Sequence, residues 1–438
     1  MKLTIIKPAP HHLSGPGRKL RKERKNLIGL SLPYLAALTP KGWDVQLIDQ
    51  EFTDISYGTP TDLVAITTWT LNSGPAYEIA DRFRDRGVPV IMGGPHTYFF
   101  AEEAADHCDS VGIGEGETIW PKMLRDAANG RLRRLYRADT LHDLKDLPFP
   151  RYDLLDFSNF GKFKFFAVQT SRGCPFKCDF CSERFYLGKE YRFRAVQDVI
   201  EELKASRAKY VLFADSTFVG KKSHTMELME ALIPLKIRWS ALWSAYLCRN
   251  RQFMDLAVRS GLLHVNIGLE SINHSTLARM NKRANKIKQY EEILGNLRKR
   301  GISYSLNMVF GYDTDDRSSF EASLEFLMKN RVPVAYFNLL TPNIGTPLYD
   351  RMFAEGRLID PSRINRSPGI ICHFIPKHYT PGELEDNVRG MYRRFYNFPS
   401  MLARLSFPIS RGDIVSWAIN LSQRKINSAE HAMNFDDY

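Results

Sequence analysis

The sequence predicts an α/β protein with two parallel sheets followed by a small helical cap. Two stretches of the chain, residues 1–130 and 160–342, alternate short apolar segments of strand length with patterns of helical spacing. The residues between them, 131–159, contain Asp146-Leu147-Pro148-Phe149-Pro150 and little periodicity, which is typical of a linker. A chain of 438 residues with 44% hydrophobic content is long enough for two or three ordinary cores.

The first stretch contains five segments of strand length, which are Leu3–Ile6, Val45–Ile48, Leu63–Thr67, Val88–Met92 and Ser110–Ile113. Between the third and the fourth, Ser73–Arg86 places four apolar residues at helical spacing, and Gly87 can end that helix. Strands that alternate with helices predict a doubly wound parallel sheet. Such a sheet binds its ligands at the carboxyl ends of the strands, near the point where the strand order reverses.

Polar and glycine-rich turns follow three of these strands. They are Thr67-Thr68-Trp69, Gly93-Gly94-Pro95-His96 and Gly114-Glu115-Gly116-Glu117. Glycine at such turns either serves the tight turn itself or lets the backbone approach a ligand closely, and both interpretations remain open. No GxGxxG pattern follows the first strand, so a nicotinamide cofactor is not expected.

The second stretch contains six further segments, which are Phe165–Gln169, Tyr210–Phe213, Trp239–Leu242, Val265–Leu269, Ser305–Phe310 and Ala335–Leu340. Helical patterns such as Val196–Ala205, Phe253–Ser260 and Ile287–Arg300 separate them. Six β/α units predict a partial parallel barrel whose chemistry lies at the carboxyl ends of the strands.

The tail, residues 343–438, predicts a small helical cap. It contains scattered proline residues and several aromatic residues. Its basic and aromatic segment Met391–Leu405 either packs on the barrel or touches a membrane surface, and the packing interpretation is favoured.

The composition narrows the class of protein. Six cysteines are too few for a disulfide scaffold, and no apolar run is long enough to span a bilayer. The formal net charge of +12 is compatible with several anionic partners, but no nucleic-acid-binding motif accompanies it. We therefore expect a soluble, cytoplasmic protein without a nucleic-acid partner and without an integral membrane segment.

Three cysteines fall in one short loop, TSRGCPFKCDFCSE, directly after the first barrel strand. Cys174, Cys178 and Cys181 follow a CxxxCxxC spacing without a fourth Cys or His nearby. Zinc sites usually close with four ligands, which here would require a remote residue such as His264 or His373. Iron–sulfur electron carriers also use four thiolates, whereas three thiolates leave one iron of a [4Fe–4S] cluster open.

The motif CxxxCxΦC, in which Phe180 is the aromatic residue, resembles the signature of the radical SAM superfamily. Later segments resemble other elements of that family, and the resemblance implies that they bind S-adenosylmethionine. These segments supply Asp215 and Ser216 after the second barrel strand, Glu270 and Ser271 after the fourth, and Asn307 on the fifth. It also implies that the three cysteines hold the [4Fe–4S] cluster and that Phe180 contributes to the cofactor site.

The sheet that precedes the barrel resembles the Rossmann-like, cobalamin (B12)-binding-type domain of one radical SAM subgroup. This subgroup includes the anaerobic magnesium-protoporphyrin cyclase and B12-dependent methylases. The resemblance implies cobalamin-binding residues at the turns described above, which are Thr68, Gly93, Gly94, His96, Gly114 and Glu115. The chain lacks the DxHxxG motif of histidine-ligated cobalamin, and some relatives keep this sheet without using the cofactor.

The resemblance implies reductive cleavage of S-adenosylmethionine to a 5′-deoxyadenosyl radical that functionalises an unactivated C–H bond. The electron would come from a flavodoxin or ferredoxin, and the substrate would be a secondary metabolite, a tetrapyrrole or a lipid. Cobalamin-dependent methylation is the favoured outcome, and B12-independent dehydration, cyclisation or oxidation is the alternative. A zinc-binding nucleic-acid protein and a pure electron carrier are disfavoured. The sequence assigns no catalytic acid or base.

Overall fold

The computed structural model describes residues 1–10, 25–282, 284–361, 369, 371–407, 409 and 413–427. Its strands are β1 (Lys2–Lys7), β2 (Lys25–Ile28), β3 (Asp44–Asp49), β4 (Leu63–Thr67), β5 (Val90–Gly93), β6 (Ser110–Ile113), β7 (Leu135–Arg137), β8 (Phe160–Val168), β9 (Ser171–Arg172), β10 (Arg192–Phe193), β11 (Tyr210–Phe213), β12 (Arg238–Trp243), β13 (Leu262–Glu270), β14 (Ser303–Phe310) and β15 (Val334–Leu339).

The helices follow the strands in the alternation that the sequence predicts. They are α1 (Ser31–Leu38), α2 (Ser73–Arg84), α3 (Pro95–Phe99), α4 (Ala101–His107), α5 (Gly116–Ala128), α6 (Glu183–Tyr186), α7 (Val196–Ser206), α8 (Lys222–Leu232), α9 (Arg251–Arg259), α10 (His274–Arg279), α11 (Tyr290–Lys299), α12 (Arg317–Lys329), α13 (Pro347–Ala354), α14 (Pro381–Phe395), α15 (Phe398–Arg404) and α16 (Ile414–Ile426).

The first sheet is parallel and has six strands in the order β3-β1-β4-β5-β6-β7 within the described residues. All five residues of β4 are buried because helices cover both faces of the sheet. Ala65 packs towards α1 and α5, whereas the next residue, Ile66, packs towards α2 on the opposite face. The strand order reverses between β1 and β4, so the predicted doubly wound sheet is confirmed.

The second sheet forms a parallel half-barrel in the order β15-β14-β13-β12-β11-β8-β2 over the part of the chain described. Its outer face packs against the helices in one large core that includes Val265, Ile267 and Tyr304. A separate antiparallel pair, β9 and β10, lies beside the cysteine loop. The predicted partial barrel is confirmed.

Two short strands depart from the predicted domain boundaries. β7 lies inside the predicted linker 131–159, where it pairs with β6 and extends the first sheet. β2 comes from the predicted first domain, 1–130, but pairs with β8 at the edge of the half-barrel. Edge strands of three or four residues carry little periodicity, and their assignment depends on a distant partner. The chain therefore crosses between the two domains at β2 as well as at the linker.

The C-terminal helices pack beside and below the half-barrel. The Tyr392 hydroxyl accepts a hydrogen bond from the Phe337 amide at 3.1 Å, and the Tyr396 hydroxyl donates to the Ala335 carbonyl at 2.7 Å. Both contacts attach α14 to β15, so this part of the segment Met391–Leu405 packs on the barrel. Among the helices that the structure describes, none combines the length and apolar character that a transmembrane span requires.

Arg404 is a buried residue that connects several segments of the helical cap to one another and to the barrel. Its buried guanidinium donates to the carbonyls of Val332, Pro333 and Phe395 and to Asn420 Oδ1, at 2.7 to 3.0 Å. The guanidinium carbon also lies 3.5 Å from the centroid of the Phe395 ring. Burial lowers the pKa of Arg404 to about 10, so the side chain remains charged near neutral pH.

We predict that Arg404→Ala lowers the free energy of unfolding by roughly 1–3 kcal/mol, because it leaves several buried acceptors without a donor. Thermal or denaturant unfolding measures the change. Arg393→Ala is the control, since Arg393 is an exposed residue of α14. An equal loss of stability in both variants would contradict the role of Arg404.

Candidate active site

The three cysteines of the predicted cluster motif lie in the loop between β9 and α6. Cys174, Cys178 and Cys181 are free thiols of intermediate burial. Burial raises the pKa of each thiol, that of Cys181 to about 12. In the described residues, no three Cys, His, Asp or Glu side chains converge as around a single metal ion. Three thiolates that each bind a different iron need no such convergence, so the donor set fits a [4Fe–4S] cluster.

Backbone contacts hold the cysteine loop in place. Gly173 has a φ of +87°, and a Cβ atom there would lie 1.9 Å from the Glu190 carbonyl oxygen. The Cys174 amide donates to the Gly188 carbonyl at 3.1 Å. Only glycine permits this close approach of two backbone segments, which explains the residue that precedes the first cysteine.

Asp179, inside the motif, attaches the cysteine loop to Tyr312 and to α13. Its Oδ1 accepts a hydrogen bond from the Tyr312 hydroxyl at 2.6 Å, and its Oδ2 pairs with Arg351 at 3.1 Å. Its backbone carbonyl also accepts from the Leu348 amide at 3.0 Å. This acidic residue between Cys178 and Cys181 therefore positions the loop.

Asp215 has a different environment from the one expected of a ligand-binding residue. Its Oδ1 accepts the backbone amides of Thr170 and Ser171 at 2.7 and 3.1 Å, and its Oδ2 accepts both of their hydroxyls. Burial raises the pKa of this carboxyl, and the hydrogen bonds oppose that shift. Because both carboxylate oxygens are used, Asp215 braces the turn that leads into the cysteine loop. Asp215 is also among the residues that line the cavity described below, and its role in binding S-adenosylmethionine stays a prediction.

Glu270 lies at an irregularity of β13 and pairs with Lys282. The register between β13 and β14 shifts at Gly268 and Glu270, and Glu270 has a φ of +68°. A Cβ atom on Gly268 would lie 2.5 Å from Glu270 Oε1 and 2.8 Å from Lys282 Nζ. Lys282 Nζ also lies 6.0 Å from the centroid of the Phe180 ring. The missing side chain of Gly268 therefore makes room for a buried ion pair beside the cysteine loop.

The remaining residues predicted to bind S-adenosylmethionine lie on β14 or just after β11 and β13. Gly268 and Asn307 are register partners, so the Glu270–Lys282 pair and Asn307 lie on the same face. Ser216 Oγ, after β11, is buried without a hydrogen-bond partner among the described residues. Ser271 is also buried, and its hydroxyl accepts the Asn273 amide at 3.0 Å. Unsatisfied buried polar atoms fit a polar ligand at this place.

A cavity of about 710 Å³ lies between the carboxyl ends of the two sheets. Gly93, Gly94, Gly114 and Glu115 line it from the first sheet, whereas Arg172 and Ser216 are among the residues that line it from the half-barrel. Leu32, Leu35 and Trp120 extend the wall between α1 and α5. A single space is thus accessible to residues of both predicted cofactor sites.

Packing explains two of the lining glycines. A Cβ atom on Gly94, which has a φ of +113°, would lie 2.6 Å from the Thr68 carbonyl oxygen. A Cβ atom on Gly114, at a φ of +102°, would lie 2.7 Å from the Ala138 side chain. The two turns therefore require glycine for their own geometry, and they also present backbone to the cavity.

Two residues predicted to bind cobalamin lie away from the cavity. His96 is buried, its Nε2 lies 2.6 Å from the Tyr77 hydroxyl, and its ring stacks on Phe100 at a centroid distance of 4.8 Å. Thr68 is fully buried, with its amide bonded to the Gly93 carbonyl at 2.8 Å. Neither side chain is among the cavity-lining residues. Both side chains therefore lie in the domain core, and their role in cobalamin binding stays a prediction.

A buried ion-pair network joins the two domains at the cavity wall. Arg172 donates to Glu115 at 3.0 Å and to Glu117 at 2.6 Å, and Arg192 donates to Glu115 at 2.8 Å. The Tyr34 hydroxyl donates to Glu117 at 2.8 Å. Burial alone would raise the pKa of Glu117, but the Arg172 guanidinium outweighs it and lowers that pKa. We call these five residues the interdomain network.

Sequence reasoning missed Arg172, Asp179, Lys282 and Tyr312. Arg172 lies just before the cysteine motif and Asp179 lies inside it, but their partners are 57 and 133 residues away. No local pattern identifies such pairs. Lys282 follows α10, and its partner Glu270 lies 12 residues earlier, at the end of β13.

Comparison with known proteins agrees with the geometry. The model of the Radical SAM superfamily matches residues 168–327, and that of the B12 binding domain matches residues 24–124. The chain is 31% identical over 408 residues to the bacteriochlorophyllide d C-12(1)-methyltransferase of Chlorobaculum tepidum, covering 91% of this chain and 89% of that protein. It is 30% identical to the C-8(2)-methyltransferase of the same organism, covering 87% and 88%.

Solved structures share the fold at low sequence identity. The cobalamin-dependent S-adenosylmethionine radical enzyme OxsB, with aqua-cobalamin bound, superposes with a TM-score of 0.71 at 16% identity, covering 97% of this chain and 71% of that chain. The radical S-adenosylmethionine methyltransferase TsrM of Kitasatospora setae, with cobalamin and a [4Fe-4S] cluster bound, gives 0.64 at 17% identity, covering 98% and 89%.

The fold and the site define a radical SAM enzyme of the methyltransferase type with an N-terminal B12-binding domain. The chain belongs to the radical SAM superfamily, within the group that carries this domain. The predicted family, enzyme class and set of cofactors are confirmed. The individual cofactor-binding residues stay predictions.

We predict that Arg172→Lys weakens corrinoid binding about tenfold and lowers the free energy of unfolding by roughly 1–3 kcal/mol. A single ammonium cannot bridge Glu115 and Glu117 as the planar guanidinium does, so one buried carboxylate loses its partner. Titration with hydroxocobalamin, followed by visible absorbance, measures the affinity.

The matched control for Arg172 is Arg194→Lys. Arg194 forms a similarly buried pair with Glu202 at 2.6 Å, but within the half-barrel. This variant should lose stability without losing affinity for the corrinoid. Equal affinities of wild type and Arg172→Lys would refute the role of the network at the cavity.

We predict that His96→Gln leaves the spectrum of bound cob(II)alamin unchanged, because His96 is bonded to Tyr77 in the core. Electron paramagnetic resonance reports nitrogen ligation of the cobalt directly. Tyr77→Phe is the companion variant and should cause a similar small loss of stability. A nitrogen coupling that is present in the wild type and absent only in His96→Gln would sink this prediction.

Proposed function

We propose that this protein methylates a carbon atom of a tetrapyrrole of the bacteriochlorophyllide type. The observation that carries the proposal is the single cavity at the carboxyl ends of both sheets, which brings the corrinoid turns and the barrel residues to one space. The two bacteriochlorophyllide methyltransferases support the substrate class, since they align over most of both chains at 31% and 30% identity.

A lipid of the hopanoid type is the second candidate substrate. The hopanoid C-2 methylase of Rhodopseudomonas palustris is 23% identical over 402 residues, covering 86% of this chain and 73% of that protein. The lower identity makes it the weaker candidate. Both candidates are large apolar molecules, which agrees with the apolar wall of the cavity near Leu32, Leu35 and Trp120.

The chain's own residues have distinct tasks in this proposal. Cys174, Cys178 and Cys181 hold the [4Fe–4S] cluster, and Asp179, Gly173 and Asp215 position their loop. Phe180, Ser216, Glu270, Ser271 and Asn307 bind S-adenosylmethionine, and Lys282 joins them. Gly93, Gly94, Gly114 and Glu115 present the corrinoid to the cavity.

When bound, the cluster with S-adenosylmethionine supplies a carbon radical and the corrinoid supplies a methyl group. The protein orients these groups and excludes water. The buried ion pair of Glu270 and Lys282 is complementary to an amino-acid group, which carries one cation and one anion. The interdomain network joins the part of the cavity wall from the first sheet to the part from the half-barrel.

An external reductant completes the proposed system. We expect a flavodoxin or ferredoxin to deliver the electron, because the cysteine loop holds thiols for one cluster. Among the described residues, the other cysteines, such as Cys108 and Cys248, are buried singly.

The test is an anaerobic assay of reconstituted protein with hydroxocobalamin, S-adenosylmethionine, reduced flavodoxin and bacteriochlorophyllide d. We expect a methylated pigment, detected by mass spectrometry, together with 5′-deoxyadenosine. Cys178→Ala should lose iron and both products, whereas Cys108→Ser, at a buried cysteine outside the loop, should retain them. Deoxyadenosine with a dehydrated or oxidised product would refute methylation and favour the B12-independent alternative.

A further inference from the structure

Exposed apolar side chains concentrate on the C-terminal helices. Seven of them, between 44% and 76% exposed, lie on α15, on α16 and on the segment between these helices. We call them the C-terminal apolar patch, which consists of Phe398, Leu402, Phe407, Ile409, Ile414, Leu421 and Ile426. Exposed apolar patches of this kind mark interaction surfaces in soluble proteins.

The residues of the patch belong to one structural unit, because α15 and α16 pack against each other. Met401, Leu405 and Trp417 form a small core between them. Arg404 donates to Asn420 at 3.0 Å, and Trp417 Nε1 donates to the Ser406 carbonyl at 3.2 Å. These contacts bury one side of each helix, and the residues of the patch are the apolar side chains that remain exposed on the same unit.

Five exposed cations lie on and around this surface, and they are Arg298, Lys299, Arg331, Arg424 and Lys425. The first two end α11 just before Ser303, whose hydroxyl lies 2.9 Å from that of Ser416 on α16. Arg331 precedes Pro333, whose carbonyl accepts from Asn420 at 2.8 Å. Arg424 and Lys425 belong to the last turn of α16.

The helix dipole accounts for only part of this charge. Cations in the last turn of a helix stabilise its carboxyl end, which explains those on α11 and α16. Arg331 lies outside any helix, at a φ of +45°. Asp413 also lies here, at the start of α16, where it accepts a hydrogen bond from Ser406. The surface therefore combines apolar side chains with basic side chains around them.

We propose that this surface docks the protein onto an anionic lipid bilayer. The apolar side chains enter the interface between headgroups and acyl chains, and the cations meet the lipid phosphates. A second copy of the chain fits less well as the partner. A two-fold contact through the patch would bring the basic residues of both copies together, and like charges repel. Anionic headgroups complement the same charges.

The position of the patch gives the docked protein a defined orientation. α16 contacts the amino ends of β14 and β15, at Ser303 and Pro333. The cavity lies at the opposite, carboxyl ends of the strands. Docking through the patch therefore leaves the active site accessible. Membrane binding itself requires neither substrate nor cofactor.

The test is co-sedimentation of the full-length protein with vesicles of phosphatidylcholine, with or without phosphatidylglycerol. We expect binding that requires phosphatidylglycerol and falls as salt rises. Phe407→Ser and Leu421→Ser should each weaken binding about tenfold, since each removes a large apolar side chain from the interface. Arg424→Gln should weaken binding and reduce its salt dependence.

Phe353→Ser is the matched control. Phe353 is 62% exposed on α13, outside the patch, and its replacement should leave vesicle binding unchanged. Unfolding curves exclude a loss of fold in each variant. Equal binding to both vesicle types, no binding at all, or equal effects of Phe353→Ser and Phe407→Ser would overturn the proposal. Self-association that Phe407→Ser abolishes, without vesicle binding, would instead identify an interface between copies.

Discussion

The arrangement of this protein depends on the buried ion pairs between Arg172 and the carboxylates of Glu115 and Glu117. Side chains with less than a tenth of their surface exposed lose most of their hydration, and their mutual pairing must offset that cost. Separation of the domains would leave charges without partners, so the network strongly favours one geometry. Since Arg172 directly precedes Gly173 and Cys174, that geometry extends into the cysteine loop.

Acidic residues around the cysteine motif act mainly as braces. Asp215 holds the turn before the loop, Asp179 attaches its middle to Tyr312 and Arg351, and Glu115 reaches its start through Arg172. A carboxylate can accept several hydrogen bonds at once, which suits it to fixing an irregular backbone. A loop fixed in this way loses little conformational freedom when it binds a cluster, so binding is correspondingly stronger.

Sequence patterns predicted the parts of the fold that depend on local order. The long strands and helices follow hydrophobic periodicity, and the cysteine spacing depends on one short loop. Contacts with distant partners leave no such local pattern. The hydrogen bonds of Asp215 to the turn before the cysteine loop and of His96 to Tyr77 join residues that are far apart in the sequence. The short strands β2 and β7 obtain their place only from the neighbours that they pair with.

Glu270 shows how local strain and long-range pairing combine at this site. A positive φ costs a non-glycine residue about 1–3 kcal/mol, and such strain persists only where the surroundings compensate for it. Here the bulge in β13 directs the carboxylate over Gly268, where Lys282 meets it on the inner face of the barrel. The strained backbone at Glu270, the absence of a side chain at Gly268 and the position of Lys282 after α10 therefore belong together, because the ion pair uses all three.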